Sequence, residues 1–284
     1  MIMKNLRTLI EDYLRKMVEP NEQVALLYSG GFESFSILCS LLDIGAKPHL
    51  YTFALDGVKS RDLEKARNDA KVFALELTEI IIPRETKELV RVTTEIIKTF
   101  GTSRKTVVQC LYPLWYTIPR ITEQKVVSGL EKGNLWGDTK NGAIAACKGF
   151  DAFNEYRKKE VLKDEKGSVA FYEKYLEMCG KTSIRPYGDD DIWLWFMGHT
   201  YDSLNKPKTK QPIRDAYSLE INATKMALHT ANYQIESGIK QYHDEFLTMP
   251  NYNPSGKYKS VVGVYNNILK GIQNGGVQLQ LEFK

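Results

Sequence analysis

What this sequence lacks narrows it first. Four cysteines stand in 284 residues, at 39, 110, 147 and 179, and no two form a CxxC pair. A zinc site of paired cysteines is excluded, and the four read as free thiols of a reducing compartment. The four histidines, His49, His199, His229 and His243, show no ligand-like spacing. No apolar run approaches the roughly 20 residues that span a bilayer. Residues 1–20 carry a charged amphipathic pattern instead of the apolar core of a secretory leader. The expected location is the cytoplasm, with no membrane partner. Neither charge sign dominates, since 39 Lys and Arg face 35 Asp and Glu. A net charge of +4 is too small to argue for nucleic acid by itself. GxSxG is absent, so the nucleophile elbow of an α/β-hydrolase is missing. GxGxxG and the Walker pattern GxxxxGKS/T are absent too.

What remains is an ordinary globular composition, 43% hydrophobic and 26% charged. The length allows about two domains or one large one. Leu6, Leu9, Ile10, Tyr13, Leu14 and Met17 recur at helical spacing, and Pro20 with Asn21 ends that helix. Strands are expected at Val24–Tyr28, Pro48–Leu55, Thr78–Ile82 and Lys125–Ser128. Helices are expected at Ser34–Leu42, Arg61–Leu77, Glu85–Phe100 and Val107–Ile121. This alternation predicts an α/β fold, a parallel sheet with helices on both faces. Beyond residue 145 the strand signals stop and a mostly helical region follows. A helix is expected at Val261–Ile272, and the alternating Val277–Phe283 reads as a strand. The segments are therefore 1–20, an N-terminal helix; 21–145, the α/β core; 146–250, a helical region; and 251–284, an extension.

The strongest local signal is Val24-Ala-Leu-Leu-Tyr-Ser29-Gly30-Gly31-Phe32-Glu33-Ser34. A buried strand runs into a glycine turn and then a helix start. Glycines let the backbone approach a phosphate, and the helix N-terminus aims free N–H groups at it. Ser29 and Ser34 add hydroxyls. The loop lies at the carboxyl end of a strand, where open α/β sheets bind ligands. Asp189, Asp190 and Asp191 read as a helix N-cap run. The aromatic stretch Tyr187–Tyr201 reads as core.

The loop resembles the SGGxDS pyrophosphate loop of the N-type ATP pyrophosphatases, the PP-loop superfamily, with Glu33 in place of Asp. Three further segments resemble the synthetase domain of asparagine synthetase and the similar β-lactam synthetase. Arg61–Arg67 with Ala70 is similar to that family's second helix. Lys125-Val-Val-Ser128-Gly129-Leu-Glu131-Lys-Gly133 is similar to VLSGEGADE, its two closing acids falling on Gly133 and Asn134. Ile184–Asp191 with Asn205–Ala216 is similar to RxPFLD and KxxLREA. Lys225–Ile239 resembles a later segment of the same family. A counterpart of the glutaminase domain is not expected, with only a short segment ahead of the loop and no early cysteine.

The resemblance implies an adenine nucleotide alpha hydrolase-like fold and an ATP-dependent amide ligase. A carboxylate is adenylated, pyrophosphate leaves, and ammonia or another amine attacks the activated carbonyl. ATP and Mg²⁺ are the implied cofactors, and a small carboxylate and an amine the substrates. It implies that Ser29, Gly30, Gly31 and Ser34 hold pyrophosphate and that Glu33, Glu131 and Asp138 hold Mg²⁺. Thr52, Phe53, Ala54 and Leu55 would face the nucleoside, with Ser128, Gly129 and Arg214 completing the nucleotide site. Lys210 and Glu33 are the catalytic candidates. Other families with this loop adenylate a nucleobase in tRNA or DNA, which is the alternative acceptor and makes nucleic acid a partner to test. A nucleotide-binding relative without catalysis is the third reading, and a homo-oligomer is open.

Overall fold

The computed structural model describes residues 5–164, 167–228 and 237–274. Helix α1 (Leu6–Met17) is capped by Asn5, whose side chain accepts the Thr8 N–H. Strand β1 (Gln23–Leu27) follows and delivers Ser29-Gly30-Gly31 to helix α2 (Phe32–Asp43). Then come β2 (Lys47–Leu55), α3 (Arg61–Val72), β3 (Leu77–Ile82), α4 (Thr86–Phe100), α5 (Lys105–Thr117) and β4 (Lys125–Ser128). The second half holds α6 (Lys140–Cys147), α7 (Phe150–Asp164), α8 (Ser168–Met178) and β5 (Thr182–Ile184). After these run α9 (Asp190–Met197), α10 (Tyr201–Asn205), α11 (Gln211–Ala216), α12 (Ser218–Thr224), α13 (Ile239–Asp244) and α14 (Val261–Gln273).

The five strands form one sheet in the order β3-β2-β1-β4-β5. β1 pairs in parallel with β2 and with β4, and β4 with β5. Leu27 lies opposite both Tyr51 and Ser128, so β1 and β4 end level beside the glycine loop while β2 runs on to Leu55. Val24, Ala25 and Leu26 are all fully buried in succession, which requires cover on both faces. The α/β reading therefore holds. One expectation is corrected. Strand signals do not stop at 145, because Thr182–Ile184 adds the edge strand β5. Three residues are too short a run to show a period of two. Helix α3 ends at Val72, five residues before the expected boundary. The Val277–Phe283 segment lies outside the described residues.

The chain divides into two compact units of interleaved segments, 1–52 with 61–79 and 120–231, and 53–60 with 80–119 and 232–284. The first has a continuous apolar core including Leu26, Phe35, Leu38, Val127, Trp136, Tyr187 and Phe196. Beneath its glycine loop lies a buried ionic group. Lys65 and Asp69, one helical turn apart on α3, are both fully buried, and the ammonium donates to both carboxylate oxygens. The Tyr28 hydroxyl donates to the same carboxylate at 2.5 Å. In the second unit, α4, α5, α13 and α14 pack together. Tyr112, Tyr242, Phe246 and Tyr265 surround His243 there, and His243 Nδ1 lies 2.5 Å from the Tyr265 hydroxyl. The chain's cysteines are free thiols.

Two stability predictions follow from these buried groups. Asp69→Ala leaves an unpaired ammonium in the core and should lower the unfolding free energy by about 3 kcal/mol, read from urea midpoints. The double variant Lys65→Met/Asp69→Leu, which removes both charges, should recover more than half of that loss. Burial holds the His243 imidazole neutral, its pKa lowered to about 3. The unfolded chain, with the ordinary value near 6.5, therefore binds the extra proton first on acidification. Stability supplied by neutral His243 should be present above about pH 6.5 and lost as the pH falls towards 3. His243→Phe should flatten the melting temperature across that window.

Candidate functional site

The site is built at the point where the strand order reverses, between the carboxyl ends of β1 and β4. Gly30 has φ +69°, and a Cβ there would lie 2.3 Å from Lys65 Cγ. Only glycine gives both the left-handed turn and the close approach to α3. Ser29 Oγ accepts the Gly31 N–H at 3.3 Å, and Ser34 Oγ donates to the Gly31 carbonyl at 3.2 Å. The hydroxyls thus brace the loop. Gly31 is the N-cap of α2 and supplies no side-chain cap to the first turn. The free N–H groups of a twelve-residue helix face the loop, which is the geometry of an anion cradle.

The loop after β4 approaches the same turn. A Cβ on Gly129 would sit 2.9 Å from Glu33 Cβ and 3.0 Å from the Ser34 nitrogen. Beyond it, residues 131–138 fold on their own side chains. Glu131 Oε2 accepts the Leu135 N–H at 3.0 Å, and Asn134 Oδ1 accepts the Gly137 N–H at 2.8 Å. Trp136 is fully buried and anchors the segment. Gly133, with φ +76°, is pressed to 2.7 Å of the Val161 nitrogen for any added Cβ. The position where the resembling motif has an acid therefore cannot carry one. Carboxylates arrive instead from Glu131 and Asp138.

Lys210 meets them. It is the N-cap of α11 with left-handed backbone, φ 59° and ψ 40°, and its N–H donates to Asn205 Oδ1 at 3.3 Å. Asn205 in turn donates to the Trp136 carbonyl at 2.8 Å, tying the two segments together. The Lys210 ammonium donates to Glu33, and lies 4.0 Å from Glu131 and 3.8 Å from Asp138. Its side chain is only 8% exposed, and those of the three acids 15%, 19% and 26%. The ammonium also sits 5.7 Å from the Trp136 ring centroid. Burial alone would lower the lysine's pKa, but Glu33, Glu131 and Asp138 outweigh it and hold the group charged. Burial, reinforced by Glu33, pushes the Glu131 carboxyl well above the usual carboxylate range against the pull of Lys210.

Glu33, Glu131, Asp138 and Lys210, four of the candidates, thus converge at one point beside Ser29–Ser34 and Gly129. Arg214 does not join them. Its guanidinium lies over the Phe32 ring at 4.4 Å, and Nε donates to the Thr209 carbonyl at 2.9 Å. Lys210 is the N-cap and precedes the helix on which Arg214 lies. Ser128 is buried at the end of β4. Thr52, Ala54 and Leu55 are buried at the end of β2, and Phe53 is half-buried. The three aspartates act as expected, Asp189 accepting the N–H groups of Asp191 and Ile192. The aromatic stretch packs inward through Tyr187 and Phe196. Trp136 and Asn205 were not foreseen, and no local pattern marks them. The Lys65–Asp69 spacing was a visible signal, but not its place under Gly30.

Among the described residues no group of three His, Cys, Asp or Glu side chains is set to hold a metal ion. The cation standing among the three carboxylates is the ammonium itself. No helix is long and apolar enough to cross a membrane among those residues.

No protein-family model matches the chain, and no curated protein matches it in sequence. Solved structures do show likeness. One, titled a predicted subunit of tRNA methyltransferase from Methanocaldococcus jannaschii, is 14% identical with a TM-score of 0.35, covering 74% of this chain and 94% of that one. Another, titled U34-tRNA thiolase NcsA from Methanococcus maripaludis with its 4Fe-4S cluster, is 14% identical with a TM-score of 0.36, covering 98% and 82%. At these values neither likeness bears on activity.

The electrostatics of the cluster are testable without a substrate. Lys210→Met leaves three carboxyl groups facing one another and should destabilise the protein by about 3 kcal/mol at pH 8. Because burial raises the Glu131 carboxyl above the usual carboxylate range, acidification protonates it before an ordinary carboxylate and relieves the repulsion, so the loss should be smaller at pH 5 than at pH 8. Equal losses in urea at the two pH values would show that the acids do not depend on Lys210.

Proposed function

We propose that this chain is an ATP-using enzyme of the PP-loop class, which transfers AMP to an oxygen of its acceptor and releases pyrophosphate. The observation that carries the reading is the buried Lys210 ammonium among Glu33, Glu131 and Asp138 at the mouth of the Ser29-Gly30-Gly31 loop. The loop and the open first turn of α2 bind the phosphates that leave. Lys210 lies where negative charge grows on the α phosphate and the attacking oxygen, and a fixed cation in a buried site stabilises such charge strongly. Residues 52–55, at the end of β2, take the nucleoside side.

The carboxylate oxygens of Glu33, Glu131 and Asp138 are the hard donors that suit Mg²⁺, which when bound offsets the charge of the phosphates. Lys210 pairs with Glu33 directly, so Glu33 would hold the metal only with that pair opened.

The acceptor we favour is a carboxylate, giving an acyl-adenylate that an amine then attacks to form an amide and release AMP. It is supported by the two segments similar to asparagine synthetase, whose Glu131 and Lys210 meet at the loop although they stand far apart in sequence. The second reading keeps the loop chemistry and makes the acceptor a base oxygen in tRNA or DNA. The exposed Lys206 and Lys208 allow it, although Lys206 pairs with Asp202 at 2.8 Å and Lys210 points inward.

ATP–pyrophosphate exchange with Mg²⁺ tests the proposal across a panel of carboxylic acids and then tRNA and DNA. Exchange that needs one acid supports the ligase, and exchange only with nucleic acid supports the second reading. ATP binding without exchange for any acceptor would leave a nucleotide-binding protein and overturn the adenylation. Glu33→Ala and Lys210→Ala should each lower kcat at least about a hundredfold. Near-native turnover in either would refute the assigned roles.

A further inference from the structure

The chain's net charge is unevenly shared. The second unit holds twelve of the 39 basic residues and only eight of the 35 acidic ones, so the whole +4 lies there and the first unit is neutral. We propose that the second unit carries a docking surface for the phosphate backbone of a folded RNA, formed by lysines at its helix ends.

The lysines are available. Lys87, Lys98, Lys240, Lys257, Lys259 and Lys270 are exposed and make no ion pair among the described residues. The unit's arginines at 84 and 91 are instead committed, Arg84 to Glu245 and Arg91 to Glu88 and Glu95. What is left over is therefore positive point charge on mobile stems, which is how lysine engages phosphates.

Four of the lysines, Lys98, Lys257, Lys259 and Lys270, lie on α14 or on the segments beside it. Helix α14 packs on α4 and α5. The Ser103 hydroxyl, in the turn between α4 and α5, donates to Asn266 Oδ1 of α14 at 2.6 Å. Lys98 lies in the last turn of α4, and Arg104 and Lys105 open α5 on the other side of Ser103. Lys270 is one turn beyond Asn266 on the same row of α14. At the other end of α14, Lys257 and Lys259 flank Tyr258. The half-buried Tyr258 ring rests against Gly263, where an added Cβ would come within 2.4 Å, and Lys257 stands 5.3 Å from the ring centroid. Basic residues around an aromatic ring suit a nucleic-acid strand. Because they stand at helix ends and turns instead of along one helix, they offer contacts to a curved backbone and no reading helix for a DNA major groove.

Binding at this surface stands apart from the adenylation chemistry. That the bound RNA is the acceptor rests on the second reading above. The test uses the full chain and a fluorescein-labelled transcribed tRNA, read by anisotropy over a salt series. Lys98→Glu/Lys270→Glu and Lys257→Glu/Lys259→Glu should each weaken binding about tenfold or more and reduce the salt slope by about two. Lys16→Glu/Lys148→Glu, an equal charge change in the first unit, should stay within about twofold, with melting curves confirming that all variants fold. Absence of tRNA binding at low salt, or an equal loss in the Lys16/Lys148 variant, would overturn the proposal. So would tighter binding to duplex DNA or to phosphatidylserine vesicles than to tRNA. Exchange assays on the same variants keep the two ideas apart. tRNA binding with no exchange for any acceptor refutes adenylation alone, and exchange with intact kinetics but no tRNA binding refutes the surface alone.

Discussion

A buried ammonium needs negative partners, and that need organises the first unit. Lys210 is almost wholly withdrawn from water, so its charge persists only because Glu33, Glu131 and Asp138 surround it. Those acids come from three places: the first turn of α2, the loop after β4 and the segment that follows Trp136. Holding them around one nitrogen fixes the carboxyl ends of β1 and β4 relative to the segment before α11. Asn205 and Trp136 serve that placement, one by bonding the Lys210 backbone and the other by filling the space beneath.

A second buried ion pair supports the floor of the same site. Lys65 and Asp69 are hidden under Gly30, and Tyr28, one residue before the glycine loop, bonds the same carboxylate. The loop therefore rests on a charged group below and faces another beside it. Such an arrangement costs stability in desolvation and returns position, holding the loop's N–H groups in fixed directions. The raised pKa of Glu131 marks the same crowding of negative charge, and a second cation entering the cluster would relieve it.

The second unit differs in character. Its core holds an aromatic cluster built around a neutral histidine, and its sequence carries the chain's charge excess. The first unit balances its charges and concentrates its chemistry in one cluster.

Parts whose physics is local are legible along the chain. Val24–Tyr28, the glycine turn and the start of α2 are contiguous, so hydrophobicity, glycine freedom and helix polarity together announced the cradle. The N-cap role of Asp189 and the parallel α/β alternation were legible for the same reason. What depends on distant partners emerges with the folded arrangement. It brought Glu131 and Asp138 to Lys210, turned Arg214 onto Phe32, hid Lys65 beneath Gly30, and closed Gly133 to any side chain. It also interleaved the two units, which no run along the chain reveals. The reason is that a pattern records which face a residue prefers, while a buried charge is satisfied by whatever the fold places within a few ångströms of it.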